Sequence, residues 1–219
     1  MELVLTLTET ITQRLENERV VKIPASVEEY FDLLNESENQ AYKIQYYQEE
    51  IIATMGQASE MHEIIVANVI SALVNAYLEK EDYRVVGSNR IVYSTELAQA
   101  FNPDAMVIKG ETQLFPRKKM MSAMTNPHLI VEVHSDSTDD IDMYIKLPCY
   151  KSFASVQQII YVHQKQAYIS VYTRTSEAGH WRNDDYNSLD MSVKIDGFEI
   201  PMGDIYRKVV FKKHSNKTN

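Results

Sequence analysis

Apolar and polar positions follow two rhythms along the 219 residues. Behind Ser26 and Glu29, a capping-box pair, Val27, Tyr30, Phe31 and Leu34 recur at helical spacing. From about Ser59 to Glu79 the apolar residues lie nearly all round a helix. Met61, Ile65, Val69 and Ala72 take one side, and Ile70, Val74 and Tyr77 another, which predicts burial against a sheet. Period-two or continuous apolar runs predict strands over 42–47, 50–54, 83–86, 91–93, 104–108, 128–133, 158–163 and 167–173, with two weaker ones near 180–195. A third helix is predicted over about 139–153, bent by Pro148 beside Lys146. Residues 1–23 read as a strand pair or a loose arm, and 110–126 as a loop. This order predicts an α/β or α+β domain, a mixed sheet with helices packed on it.

Composition changes the picture by exclusion. With 44% hydrophobic and 24% charged residues, the chain is neither disordered nor of low complexity. Its one cysteine, Cys149, allows no internal disulfide and suits a reducing compartment, so a soluble cytoplasmic protein is expected. The longest apolar stretch, 64–74, is broken by Asn68 and Ser71 and is too short to span a bilayer; the first residues lack the basic region of a signal peptide. Net charge is −9, a deficit for any phosphate-binding protein. It is uneven: Arg207, Lys208, Lys212, Lys213 and Lys217 put +5 on the last thirteen residues and leave −14 on the rest. Arg117, Lys118 and Lys119 form a second basic spot, and both read as solvated surface or as phosphate contacts.

The residues that could carry chemistry sit on two strands. Asn102-Pro103-Asp104 opens one, and Ile130-Val131-Glu132-Val133-His134 closes another. Alternation puts Leu129, Val131 and Val133 on one face and Ile130, Glu132 and His134 on the other. A carboxylate in an apolar strand is costly to bury alone. A divalent cation such as Mg²⁺ would satisfy two carboxylates; equally, Glu132 could be hydrated at a strand end or paired to a lysine. Held close, the two carboxylates should raise at least one pKa. Lys146 has its own ordinary partner in Asp142, four residues earlier. Ser135 to Asp140 supply N-caps for the following helix. His62, in the first turn of the long helix, should stay neutral there. Glu49 and Glu50 read as a surface pair at a hairpin, and Cys149 as packing. No HExxH and no Gly-rich phosphate loop occurs, which sets aside zinc proteases, P-loop NTPases and dinucleotide binders.

Taken in order, these pieces resemble the Uma-two family, a branch of the PD-(D/E)XK nuclease superfamily, from about Tyr42 to Tyr206. The family's "DGE" hairpin and "SPRH" match Glu50 and the run Gly56-Gln57-Ala58-Ser59-Glu60-Met61-His62. Its "PD" matches Pro103-Asp104, its "VVEVLSPST" matches residues 130–138, and its "D…EKL…Y" matches Asp142, Lys146-Leu147 and Tyr150. The resemblance implies a restriction-endonuclease-like mixed sheet flanked by helices over 41–206, after an N-terminal arm and capped helix (1–40) and before a basic tail (207–219). It implies Asp104, Glu132 and the Val133 backbone carbonyl as ligands of Mg²⁺ or Mn²⁺, with Lys146, Glu50 and His62 completing the catalytic set. It also implies hydrolysis of DNA phosphodiesters by a homodimer, with no membrane association. In the wider superfamily the lysine stands where this chain has His134. Gln48-Glu49 replace the "DG", Asp136 replaces a proline, and Asp139-Asp140 stand where basic residues are common. The alternative is a catalytically inactive nuclease-like interaction or regulatory module. A third reading is a binding module for a small anion.

Overall fold

The computed structural model describes residues 5–36, 42–55, 59–87, 89–116, 122–134 and 141–211. In chain order the elements are α1 (Leu7–Leu15), β1 (Val20–Pro24), α2 (Val27–Glu36), β2 (Tyr42–Tyr47), β3 (Glu50–Met55), α3 (Glu60–Ala76), β4 (Tyr83–Gly87), β5 (Val92–Ser94), β6 (Gln99–Phe101), β7 (Ala105–Lys109) and β8 (Pro127–His134). A π-helical turn (Ile141–Lys146) runs into α4 (Leu147–Ser152), followed by β9 (Gln158–His163), β10 (Ile169–Arg174), β11 (Trp181–Tyr186), β12 (Ser192–Ile195), β13 (Phe198–Pro201) and α5 (Met202–Ile205). The fold is α+β, mixed sheets flanked by helices.

The central sheet has the order β11-β10-β9-β8-β7-β4. Its neighbours are antiparallel except β8 and β9, which run parallel and are joined through the π-turn and α4. All eight residues of β8 are buried, as a middle strand covered on both faces requires. Leu129, Val131 and Val133 pack with Ile65, Val69 and Leu73 of α3. Ile130, on the other face, packs with Leu147, Tyr150 and Phe153 of and after α4. The alternation read from the sequence therefore holds.

A second sheet, β1-β3-β2-β6-β5, carries α1 and α2, whose Ile11, Leu15, Tyr30 and Phe31 fill its core. β6 leaves it through Asn102, Pro103 and Asp104 and enters β7 of the central sheet. The chain thus passes from one sheet to the other at Asp104. A small hairpin, β12-β13, turns at Asp196 and Gly197, both at positive φ. Asp196 accepts from Tyr77 at 2.9 Å and pairs with His128 at 3.0 Å, which ties the hairpin to α3 and β8.

The capping box behaves as read: Ser26 Oγ accepts from the Glu29 N–H, and the Glu29 carboxylate accepts from the Ser26 N–H at 2.7 Å. Four expectations change. Residues 7–15 form a helix, because Thr6 and Glu9 close a second capping box. The helix expected over 139–153 is a π-turn followed by six α-helical residues. Strand β6 escapes a pattern reading because three residues show no period. The long helix is not apolar all round to the solvent's exclusion: Val74 is 45% exposed, on the side away from the sheet. Among the described residues no helix is long and apolar enough to cross a membrane.

Candidate active site

Continuing the antiparallel register of Ala105 with Val131 places Asp104 opposite Glu132, where both strands end. The pairing is made concrete by a hydrogen bond: the Val133 N–H donates to Asp104 Oδ2 at 2.7 Å. His62 reaches the same oxygen, its Nε2 3.3 Å away. It is held there by the start of α3, where Ser59 Oγ accepts from the His62 N–H and donates to Gln164 after β9. Glu132 is 3% exposed and Lys146 7%. Their side chains meet at 3.0 Å, and the Tyr150 hydroxyl donates to the same Oε1 at 2.5 Å. A buried carboxylate with two donors on one oxygen is what the cost of burying charge demands.

The electrostatics follow from these contacts. Burial works against charge on His62, but the Asp104 carboxylate and then Glu63 outweigh it and leave the imidazole pKa above its ordinary value. The helix N-terminus favours the neutral form, and the direct carboxylate partner moves the balance toward the imidazolium. Burial also pushes Asp104 up, and is overcome by His62, the Val133 N–H and the Lys146 charge, so its pKa lies below the ordinary carboxylate value. Mutual repulsion was expected to raise one of the two carboxyls; for Asp104 the neighbouring cations reverse the sign. Burial and then the Glu132 charge keep Tyr150 a protonated donor, its pKa well above the ordinary value.

Asp104, Glu132, Lys146 and His62 are thus brought together by β7, β8, the π-turn and α3. Glu50 sits at the hairpin end of β3, paired across to Tyr47 and Pro24 in the other sheet, and among the described residues no hydrogen bond or ion pair links it to these four. The Asp142 side chain, residues 56–58 of the "SPRH" match, residues 135–140 and the basic spot 117–119 lie outside the described part. Tyr150 entered the sequence reading only as the end of a family pattern. Its signal was its spacing, four residues after Lys146 and so one helical turn along the same face. The Val133 N–H contact had no signal in side chains at all.

Among the described residues no three His, Cys, Asp or Glu side chains form a metal-holding group. Two carboxylates on adjacent strand ends suit Mg²⁺ or Mn²⁺, hard ions that bind through one or two carboxylates and keep several waters.

The sequence profile of the family described as "Uma2: Putative restriction endonuclease" matches residues 27–203. The chain is 30% identical over 133 residues to the "uncharacterized protein sll1609" of Synechocystis sp., covering 61% of this chain and 73% of that one. It is 28% identical over 188 residues to "slr1290" of the same organism, covering 85% and 93%. In three dimensions it is similar to the crystal structure titled "a putative nuclease belonging to DUF820" from Anabaena variabilis, with a TM-score of 0.66 and 13% identity over 85% of this chain and 100% of that one. That likeness establishes a shared fold, and the profile match over most of the chain establishes the family: this protein belongs to the Uma2 family of restriction-endonuclease-like proteins.

Proposed function

We propose that this chain is a Mg²⁺- or Mn²⁺-dependent nuclease that hydrolyses DNA phosphodiesters in the cytoplasm, acting as a homodimer so that two sites meet two strands. One observation carries the reading: two buried carboxylates stand at adjacent positions of neighbouring strands where the chain crosses between sheets, a histidine on Asp104 and a lysine on Glu132. Asp104 and Glu132 would hold the cation, with the Val133 carbonyl as a further oxygen. When bound, such an ion supplies an activated water and polarises the phosphoryl oxygen. Lys146 would bring positive charge to the oxygens where negative charge develops. His62, whose imidazolium is favoured by Asp104, would give a proton to the leaving oxygen. Neither a serine nor a cysteine is needed as nucleophile, and Cys149 is buried in the core under α4.

The second reading, an inactive nuclease-like module, is favoured by the −9 charge. One assay separates the two. Supercoiled and linear DNA are incubated with wild type and Asp104→Asn in Mg²⁺, Mn²⁺ or chelator. Cleavage by wild type alone, and only with metal, is expected. Intact DNA in both metals would favour the inactive module. Light scattering at micromolar concentration should give twice 25.3 kDa; a strict monomer would remove the dimer.

A further inference from the structure

We infer that Tyr150 is a positioning residue for Glu132, its hydroxyl gripping Oε1 so that the carboxylate keeps one orientation toward a cation shared with Asp104. The inference rests on the metal-dependent reading above and adds to it the device that aims one ligand.

Lys146 and Tyr150 both touch Oε1, and their chemistry differs. Lys146 is a point charge on a flexible four-carbon stem, and a cation there is repelled by a second cation. It cannot both stay on Oε1 and welcome a metal without cost. The Tyr150 hydroxyl is neutral and donates one directed hydrogen bond at 2.5 Å. It can remain in place whether or not a metal is bound.

The phenol is also better anchored. Tyr150 has no exposed surface, and Phe101 meets its ring edge-on, with centroids 6.0 Å apart and planes at 83°. The helix that carries it is tied down at its far end by Arg174, whose guanidinium donates to the carbonyls of Lys151, Phe153 and Val156. Ser152 Oγ, two residues on, lies 3.1 Å from Ser94 Oγ at the edge of the other sheet. A ring locked between two sheets fixes the direction of its O–H, whereas a lysine stem does not. Hydrogen bonds to ligating carboxylates orient them, and losing one commonly costs 10–100-fold in metal affinity.

The test reads metal binding through thermal midpoints, because a ligand of the native state raises its midpoint with concentration. Wild type, Tyr150→Phe, Lys146→Met and Tyr46→Phe are each melted across a Mn²⁺ series. Tyr46→Phe is the control for a lost buried phenol bond: its hydroxyl donates to the Ala25 carbonyl in the other sheet. Tyr150→Phe should need roughly 10–100 times more Mn²⁺ for the same shift. Tyr46→Phe should follow wild type, and Lys146→Met should need no more metal than wild type, since it removes a competing cation. Equal Mn²⁺ dependence in Tyr150→Phe and wild type would overturn the assignment and leave Tyr150 as packing. A loss of that size in Lys146→Met would move the orienting role to the lysine. If Tyr150→Phe does not fold, Phe101→Leu, which frees the edge of the Tyr150 ring and keeps its hydroxyl, takes its place: a weakened Mn²⁺ dependence supports the assignment, and an unchanged one overturns it. No Mn²⁺ shift in wild type would instead remove the metal-dependent reading itself, an outcome distinct from the other two.

Discussion

At the scale of single residues, the site is a set of charges that neutralise one another: His62 stands on Asp104 and Lys146 on Glu132. Asp104→Asn illustrates the consequence. Repulsion between two bare carboxylates would make this change stabilising, but Asp104 accepts from Val133 and pairs with His62. An asparagine keeps an acceptor for the Val133 N–H and loses the charge that holds His62. The expected outcome is therefore a loss of about 1–2 kcal/mol in the metal-free protein, read by urea melts at neutral pH; a gain would show that repulsion from Glu132 dominates. Cys149 gives a prediction with the opposite character. Burial pushes its thiol up to about 12, so at pH 8 only about one molecule in ten thousand carries the thiolate that reacts. Native protein should resist iodoacetamide at pH 8, react about tenfold faster for each pH unit added while it stays folded, and label at once in guanidinium. Labelling of the native form at the rate of a free thiol would mean that the face of α4 that carries it is not packed on the core.

At the scale of elements, what was legible in the sequence was what local chemistry decides. Ser26 and Ser59 cap their helices because hydroxyls at those positions satisfy orphan N–H groups, and β8 reads as a strand because its residues alternate between two cores. Asp104 and Glu132 were visible as candidates because carboxylates beside apolar strands ask for partners. Which side chains meet them was legible only through the family resemblance. Lys146 had an ordinary partner at helical spacing in the sequence, and the π-turn shows that it reaches Glu132. Glu50 entered the site through the family order of hairpin and strand, and it lies at the hairpin end of β3 in the sheet that the chain leaves at Asp104. Tertiary contacts between sheets are set by packing over long separations, and no spacing rule encodes them. The β2-β3 hairpin carries a further element-scale consequence. Gln48 and Glu49 turn it at φ of 50° and 59°, the left-handed region that costs a side chain about 1 kcal/mol or more per residue. Both side chains are exposed, so replacing the pair by Asn-Gly, the preferred sequence for such turns, loses no core packing. The double substitution should stabilise the protein by about 1 kcal/mol, less than the strain removed because glycine gives back entropy. A lowered urea midpoint would show that these side chains serve a contact beyond the turn.

At the scale of the whole molecule, the question is how an acidic protein meets a polyanion. The charge of −9 repels DNA at long range, so any approach depends on where the cations are gathered. The C-terminal segment gathers five, but it divides into two parts with different duties. Asn68 donates to the carbonyls of Ile205 and Arg207, Val209 and Phe211 pack against the central core, and Phe211 meets the Tyr206 ring at 5.2 Å. Arg207 itself pairs with Asp204. A cut at 207 would therefore remove packing as well as charge and confuse the two effects. A cut after Phe211 removes Lys212, Lys213 and Lys217 alone. If these lysines meet phosphates, binding of duplex DNA releases up to three counterions through them, and each contributes about −0.9 to the slope of log affinity against log salt. Truncation to residue 211 should leave the thermal midpoint within a degree or so, weaken DNA binding at low salt, and flatten that slope by about 2–3. Affinity and slope both unchanged would mean that the lysines do not touch DNA and that approach to the site depends on cations elsewhere, such as Arg117, Lys118 and Lys119.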